Sequence, residues 1–332
     1  MTATSETRSW DALVTSTLSA DNGKLYDNIV KGLPTLTYFR EAGRIEKIDG
    51  GDRIKKSLMY AKNDTVKAKT DYGVLDTTPQ EGITSAFYDW REIAGTLVIS
   101  RAERRKNSGK HQVFNLLMAK EEQLALSFKE EVIRQILGAG GTNSDGASEI
   151  DGLRAAIADT PTSGTYGGIT RNTTTGAWWQ NQYKGSMGSF VTNGLTYLRE
   201  VYRECSQGNV GGSPDMILCD PVLYDSFEAE HVLHLQFAAT GKTNEKMFNL
   251  GIDNFKYKRA TVMYEEQMLA GGRIYLINTD FLSLCVDKDS DFKMLPAVTP
   301  SNQTATVAPL ILMANLAANN CRKLGVITGG TA

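Results

Sequence analysis

Apolar and polar positions alternate from Arg53 to Tyr60, with Ile54, Lys56, Leu58 and Tyr60 on one side and Lys55, Ser57 and Met59 on the other. A two-residue period predicts a strand. Asp49-Gly50-Gly51-Asp52 supplies the turn before it and Asn63-Asp64 a turn after it. Ile83 to Trp90 reads as the returning strand, with Phe87, Tyr88 and Trp90 as β-favouring aromatics. Residues 50–92 therefore predict a long two-stranded hairpin with a polar tip. An isolated hairpin is marginal in water, so this one must pack on its own domain or on another chain.

After a short apolar strand at Gly95–Ser100 the period changes. Phe114, Leu117, Leu124, Phe128, Val132 and Ile136 recur at three- and four-residue steps, which predicts a helix from about Lys110 to Leu137. It would run roughly 40 Å at about 1.5 Å per residue. Gly138, Gly140 and Gly141 end it. Further on, Glu149–Ala158 reads as a short helix and Ser189–Cys205 as an amphipathic one built on Phe190, Leu195, Leu198, Val201 and Tyr202. Asp215–Cys219 reads as a buried strand, followed by Asp220 as N-cap and Pro221 as first residue of a helix. Ala260–Tyr264, Arg273–Asn278 and Phe281–Val286 are strands, so residues 190–290 carry an α/β core of their own. Pro309–Ala318 and Cys321–Thr328 are extended and are expected to return to the sheet beside the long helix. The first 45 residues form a polar arm: Leu25, Tyr26, Ile29 and Val30 share a helical face that Pro34 stops, and Leu36, Tyr38 and Phe39 are too few for a core. Residues 1–93 are thus expected to gain their order from sister molecules.

Composition narrows the function. The 332 residues hold 36 Lys and Arg against 38 Asp and Glu, a net charge of −2 that argues against a strongly basic nucleic-acid clamp. No apolar run is long enough to span a membrane, and the Ser- and Thr-rich start has no secretion signal. Cys205, Cys219, Cys285 and Cys321 lack C-x-x-C spacing and read as free thiols in a reducing cytosol.

The candidate chemistry is thin. Gly241-Lys242-Thr243 ends like a phosphate loop, but Gln236 stands where its first glycine belongs. Gly138-x-Gly140 has Asn143 in place of a third glycine and follows a helix. His231 and His234, with Glu228 and Glu230, are the sole metal-like group, without a second ligand set, and His111 adjoins the basic run Arg101–Lys110. No G-x-S-x-G elbow is present. These readings favour a non-enzyme with no cofactor and no metal. A metal-dependent enzyme using His231 and His234 is the alternative from a different class.

Three stretches carry a family resemblance: YGGITRNTTTGAWWQNQY (Tyr166–Tyr183), GGRIYLINTDFLSLCVDKDSDFKML (Gly271–Leu295) and LAANNCRKLGVITG (Leu316–Gly330). In this order they resemble the tailed-phage major capsid proteins of the Hong Kong ninety-seven type. The resemblance implies an α+β capsid fold. Its parts would be an N-terminal arm (1–48), an extended β-hairpin loop (49–93), a peripheral domain (94–189 with 291–332) holding a spine helix (110–137), and an α/β axial domain (190–290). It implies self-assembly into hexamers and pentamers of an icosahedral virion shell in the host bacterial cytoplasm. Double-stranded DNA would lie within, and a separate scaffolding protein, a portal and a decoration protein would be partners, with no membrane. Candidate contacts between subunits are Arg53, Lys55, Lys56, Lys67, Lys69, Phe87, Tyr88, Trp90, Arg101, Arg104, Arg105, Arg171, Trp178 and Trp179. An encapsulin-like shell around an enzyme cargo is the alternative with the same fold.

Overall fold

The structure is a computed structural model that describes residues 34–106, 116–143, 146, 148–208, 212–238, 255–268, 271–301 and 303–331. Two compact units divide the described chain. Of the described residues, one holds those within 93–132 and 290–312, and the other those within 34–92, 133–289 and 313–331.

The strand Arg91–Ser100, in the smaller unit from Ile93 on, buries Ile93, Leu97 and Ile99 and pairs with the strand Ala305–Ala318, whose residues 305–312 belong to the same unit. Lys293–Met294 pairs with Ile311 and Leu310 on that same strand. The helix Leu116–Leu137 is present, and the first residues expected of it, 110–115, lie outside the described ones. It lies close over the strand at Gly95, where an added Cβ would come within 3.0 Å of Leu124 and 3.1 Å of Phe128. Phe128 also meets Phe292 edge-on at 5.7 Å. The basic run Arg101–Lys106 is a one-turn helix closed by a capping box. Glu103 N–H donates to Ser100 Oγ, and the Glu103 carboxylate accepts from Ser100 N–H.

The larger unit is built on a six-stranded sheet. Its order is Phe255–Tyr257, Ala260–Tyr264, Met216–Cys219, Ile274–Ile277, Gly325–Ile327, Gln182–Lys184. Every residue of Met216–Cys219 and Ile274–Ile277 is buried, as a sheet covered on both faces requires. Ile217, Cys219, Val262, Ile274, Leu276 and Ile327 pack into one cluster with Leu198, Val201, Leu223 and Phe227. The helix Pro221–Ala238 starts as expected, with Asp220 Oδ1 accepting from Val222 N–H at 3.0 Å. Leu195–Cys205 is an α-helix, but residues 190–194 before it form a π-turn. There the Phe190 ring lies over Gly194, where a Cβ would be 2.5 Å away.

Two expectations change. Gly325–Ile327 does not rejoin the sheet beside the long helix; it lies between Ile274–Ile277 and Gln182–Lys184. Gly325 permits this, since a Cβ there would strike Val201 and Cys205 of the covering helix. One boundary between the units falls at 289/290, beside the 290/291 drawn from sequence, and none falls at 189/190. The second change concerns the arm. Its first 33 residues lie outside the described ones, but residues 34–48 find partners within their own chain. Pro34 opens a helix, Pro34–Glu41, instead of only ending one, as its fixed φ and missing N–H allow at a first helical position. Thr35, Leu36 and Phe39 are buried, and the Glu265 carboxylate accepts from Thr35 Oγ1 at 2.7 Å. Burial pushes the Glu265 carboxyl above the usual range. Ile45–Ile48 then pairs in parallel with Leu284–Asp287. The sequence undercounted this core because its other half comes from residues more than 200 positions away.

Candidate functional site

The hairpin forms as expected. Arg53–Met59 pairs with Ile83–Asp89 in register from Arg53↔Asp89 to Met59↔Ile83. Ile54 and Leu58 point inward, Lys56 is half-buried, and Arg53, Lys55, Ser57 and Met59 do not join the core. This hairpin has three zones: a base, a neck and a tip.

The base is clamped by its own chain. Tyr88 is buried, donates from Oη to Ala318 O at 2.8 Å and accepts from Ala318 N–H at 3.3 Å. Asn315 donates to Asp89 O at 2.7 Å and to Asp151 Oδ2 at 2.9 Å. Phe87 N–H donates to Gly167 O at 3.0 Å. Gly167 is at φ +61°, and a Cβ there would be 2.9 Å from the Tyr88 ring, so this contact needs glycine twice over. Tyr166 meets Tyr88 edge-on at 5.1 Å and donates to Leu316 O at 2.9 Å. Burial raises the phenols of Tyr88 and Tyr166 far above their ordinary value. The stretch Tyr166–Tyr183, the first of the three that carry the resemblance, thus supplies the socket of the hairpin.

Arg171 and Trp179 complete that socket. The Arg171 guanidinium is buried, donates to Ala155 O at 3.1 Å and to Ala156 O, and touches Cys321 Sγ at 3.4 Å. Burial pushes the Cys321 thiol up to about 11, with Arg171 acting in the opposite direction. Trp179 is buried and donates from Nε1 to Tyr166 O at 2.9 Å.

At the neck, Tyr60 N–H donates to Gly82 O at 2.9 Å, the last bond of the ladder. The Tyr60 ring lies 5.4 Å from that of Trp178. Beyond it, at the tip, residues 61–81 hydrogen-bond only within the segment among the described residues. Lys67 pairs with Asp76 at 3.1 Å, Asn63 accepts from Thr65, and Thr78 donates to Asp76. These bonds hold the Asp76 carboxyl below the usual range. Yet the tip is not simply polar. Val66 is 83% exposed, Tyr72 99% and Val74 96%, with Leu75, Met59 and Ile83 also open. Six large apolar side chains along one projection form an uncovered surface.

The fourteen candidate contacts therefore separate. Tyr88, Arg171 and Trp179 are buried within their own chain, where they form the hairpin socket. Lys56 is turned inward by its ion pair with Glu46. Arg53 is exposed and pairs with Asp89 at 3.0 Å. Lys55 lies 6.0 Å over the exposed Phe87 ring, and Lys67 and Lys69 sit on the tip. Trp90 donates to Gly51 O at 2.9 Å, and Trp178 is half-buried at the neck. Arg101 and Arg105 are exposed on the capped turn, and the Arg104 side chain lies outside the described ones. The apolar tip residues were missed, since single Val, Tyr and Leu residues in a polar stretch show no period.

For chemistry, no group of three His, Cys, Asp or Glu among the described residues is placed to hold a metal ion. His111 and the side chains of His231 and His234 lie outside them. All four cysteines are free and buried, and burial raises each thiol. No helix among the described residues is long and apolar enough to cross a membrane.

No family model matches the chain, and no curated protein does. Solved structures match it nearly end to end. The capsid asymmetric unit of cyanophage A-1(L) is 18% identical, with a TM-score of 0.70 over 96% of this chain and 98% of that one. The capsid of Myoviridae phage XM1 is 12% identical, with a TM-score of 0.59 over 95% and 97%. The holo-SrpI encapsulin complex of Synechococcus elongatus PCC 7942 is 10% identical, with a TM-score of 0.54 over 96% and 95%. The chain has the fold of these shell proteins, the Hong Kong ninety-seven type capsid fold.

Proposed function

We propose that the chain is the major capsid protein of a tailed phage, a structural subunit that assembles with copies of itself into an icosahedral shell. The observation that carries this reading is the mutual coverage: fold and length agree with the cyanophage A-1(L) capsid subunit over 96% of one chain and 98% of the other. The apolar tip at 60–82 adds the physical motive. Apolar surface buried between subunits is worth about 25 cal/mol/Å², repeated at every copy of a shell. In this reading residues 1–48 act as arm, 49–93 as extended loop and the helix Leu116–Leu137 as spine. Packaged double-stranded DNA lies inside without sequence readout, and a separate scaffolding protein, a portal and a decoration protein are partners.

The test is expression with the neighbouring genes of its genome, followed by sedimentation and electron microscopy. Closed icosahedral particles are expected; persistent monomers under every assembly condition would refute the reading. An encapsulin-like compartment is the second reading, favoured by the 96% and 95% coverage against the SrpI encapsulin. The content of the particles separates the two. Nuclease-protected DNA selects the phage head, and a co-purifying enzyme selects the compartment.

A further inference from the structure

We propose that Trp178 is a positioning residue that fixes the direction in which the 60–82 loop leaves the body, through its contact with Tyr60. The proposal rests on the shell reading for its purpose but not for its geometry.

Trp178 is itself held from three sides. Its Nε1 donates to Thr175 O at 3.0 Å. Its ring lies 5.4 Å from that of Trp179, which is buried and tied to Tyr166 O. The turn before it is closed by Asn172, whose Oδ1 accepts from the N–H groups of Thr174, Thr175 and Gly176. Gly176 fits there because a Cβ would fall 2.1 Å from Thr170 O. The indole is therefore a fixed post on a rigid turn, yet it is only half-buried. Its free side meets Tyr60 at 5.4 Å with the rings tilted by 33°.

Tyr60 occupies the one place where such a post sets direction. It follows the last paired residue, Met59, and its N–H closes the final cross-strand bond to Gly82. Past it, the described hydrogen bonds of residues 61–81 stay within the segment. A two-stranded ribbon bends and twists readily when nothing braces it. Clamped at Tyr88 and braced at Tyr60, the ribbon has two supports and a defined exit. Without the second support only the base would hold it. An aromatic pair of this kind shifts an orientation equilibrium by up to about tenfold. A subunit whose loops point in several directions docks onto a neighbour correctly less often.

Spin labels on Tyr72→Cys and Arg203→Cys test this in the isolated subunit. Both sites are exposed while the native cysteines are buried. Electron–electron distances in the otherwise native chain should give one narrow distribution. Trp178→Ala and Tyr60→Ala should each broaden it with thermal unfolding unchanged. Trp178→Phe should restore it, and the double alanine variant should be no broader than either single one. An unchanged narrow distribution in either alanine variant overturns the proposal. If Trp178→Ala does not fold, Tyr60→Ala, at the exposed neck, decides alone. Shell formation is read next, and a severalfold loss of closed particles is expected for both alanine variants. Wild-type particle yield despite a broadened distribution overturns the assembly role. If the native chain forms no particles while the variants broaden, the shell reading falls and the positioning role stands.

Discussion

Replacing Tyr88 by Phe removes one oxygen from the hairpin base and leaves the ring in place. That oxygen donates to Ala318 O at 2.8 Å and accepts from Ala318 N–H at 3.3 Å. In Tyr88→Phe both backbone groups stay buried without this partner, and each buried polar group left unpaired costs about 1–3 kcal/mol. The 3.3 Å bond belongs at the weak end, and the lost desolvation of the hydroxyl offsets part, so the net cost is about 2 kcal/mol. The edge-on packing against Tyr166 remains, so no cavity term is added. At 1.4 kcal/mol per factor of ten, the opening equilibrium of the hairpin rises about 30-fold. Native-state hydrogen exchange on the isolated subunit reads this directly, as faster exchange of amides in 53–59 and 83–89. Phe87→Ala is the control, since Phe87 lies on the exposed side of the same strand and its loss should leave those amides unchanged. Protection within about twofold of the native chain in Tyr88→Phe would refute the claim that this chain clamps its own hairpin.

Gly167→Ala should cost about 2 kcal/mol or more, from the left-handed backbone and the displaced Tyr88 ring, whereas Gly168→Ala, at φ +73° with open space around it, should cost only about 1 kcal/mol; urea unfolding of both variants compares them, and equal losses would contradict the socket. The four thiols should resist a thiol reagent at pH 8 in the folded subunit and all react in denaturant, because burial both covers them and raises their titration. Burial raises the Glu46 carboxyl, but bonds from Lys56 and Ser283 outweigh it and leave it below its usual value of 4.5. A depressed carboxylate stabilises the fold above its unfolded value and loses that contribution as pH falls through the folded one. Lys56→Met should therefore flatten the acid side of the stability profile below about pH 4.5, and an unchanged slope would contradict the pairing. Trypsin should cut the free subunit first at Lys62, Lys67 and Lys69 and spare these bonds in assembled particles; equal cutting in both states would contradict a shell role for the tip.

Most elements were legible because their signals are local. The alternation at Arg53–Tyr60, the Asp220-Pro221 cap and the stripe from Leu124 to Ile136 each lie within a few turns of chain. What the sequence hid depends on distant partners. Leu36 and Phe39 looked too sparse for a core, yet Glu265 and Asp215 lie where the helix Pro34–Glu41 can reach them. Gly325–Ile327 reads as any extended run, and only the open faces of Gly325 show why a helix covers it. From sequence, Tyr88, Arg171 and Trp179 read as candidate contacts between subunits, because large aromatic and guanidinium groups suit interfaces. The same donors suit a buried socket when backbone carbonyls such as Ala318 O and Tyr166 O stand ready to accept. The expectation that residues 1–93 need sister molecules narrows, among the described residues, to the tip at 60–82.

A reconstruction of the assembled particle by electron microscopy, at a resolution that shows side chains, tests that narrowed expectation most directly. Val66, Tyr72, Val74 and Leu75 should each be covered by a second copy of the chain. Closed particles in which these four side chains stand in open solvent, touched by no neighbour, would contradict it.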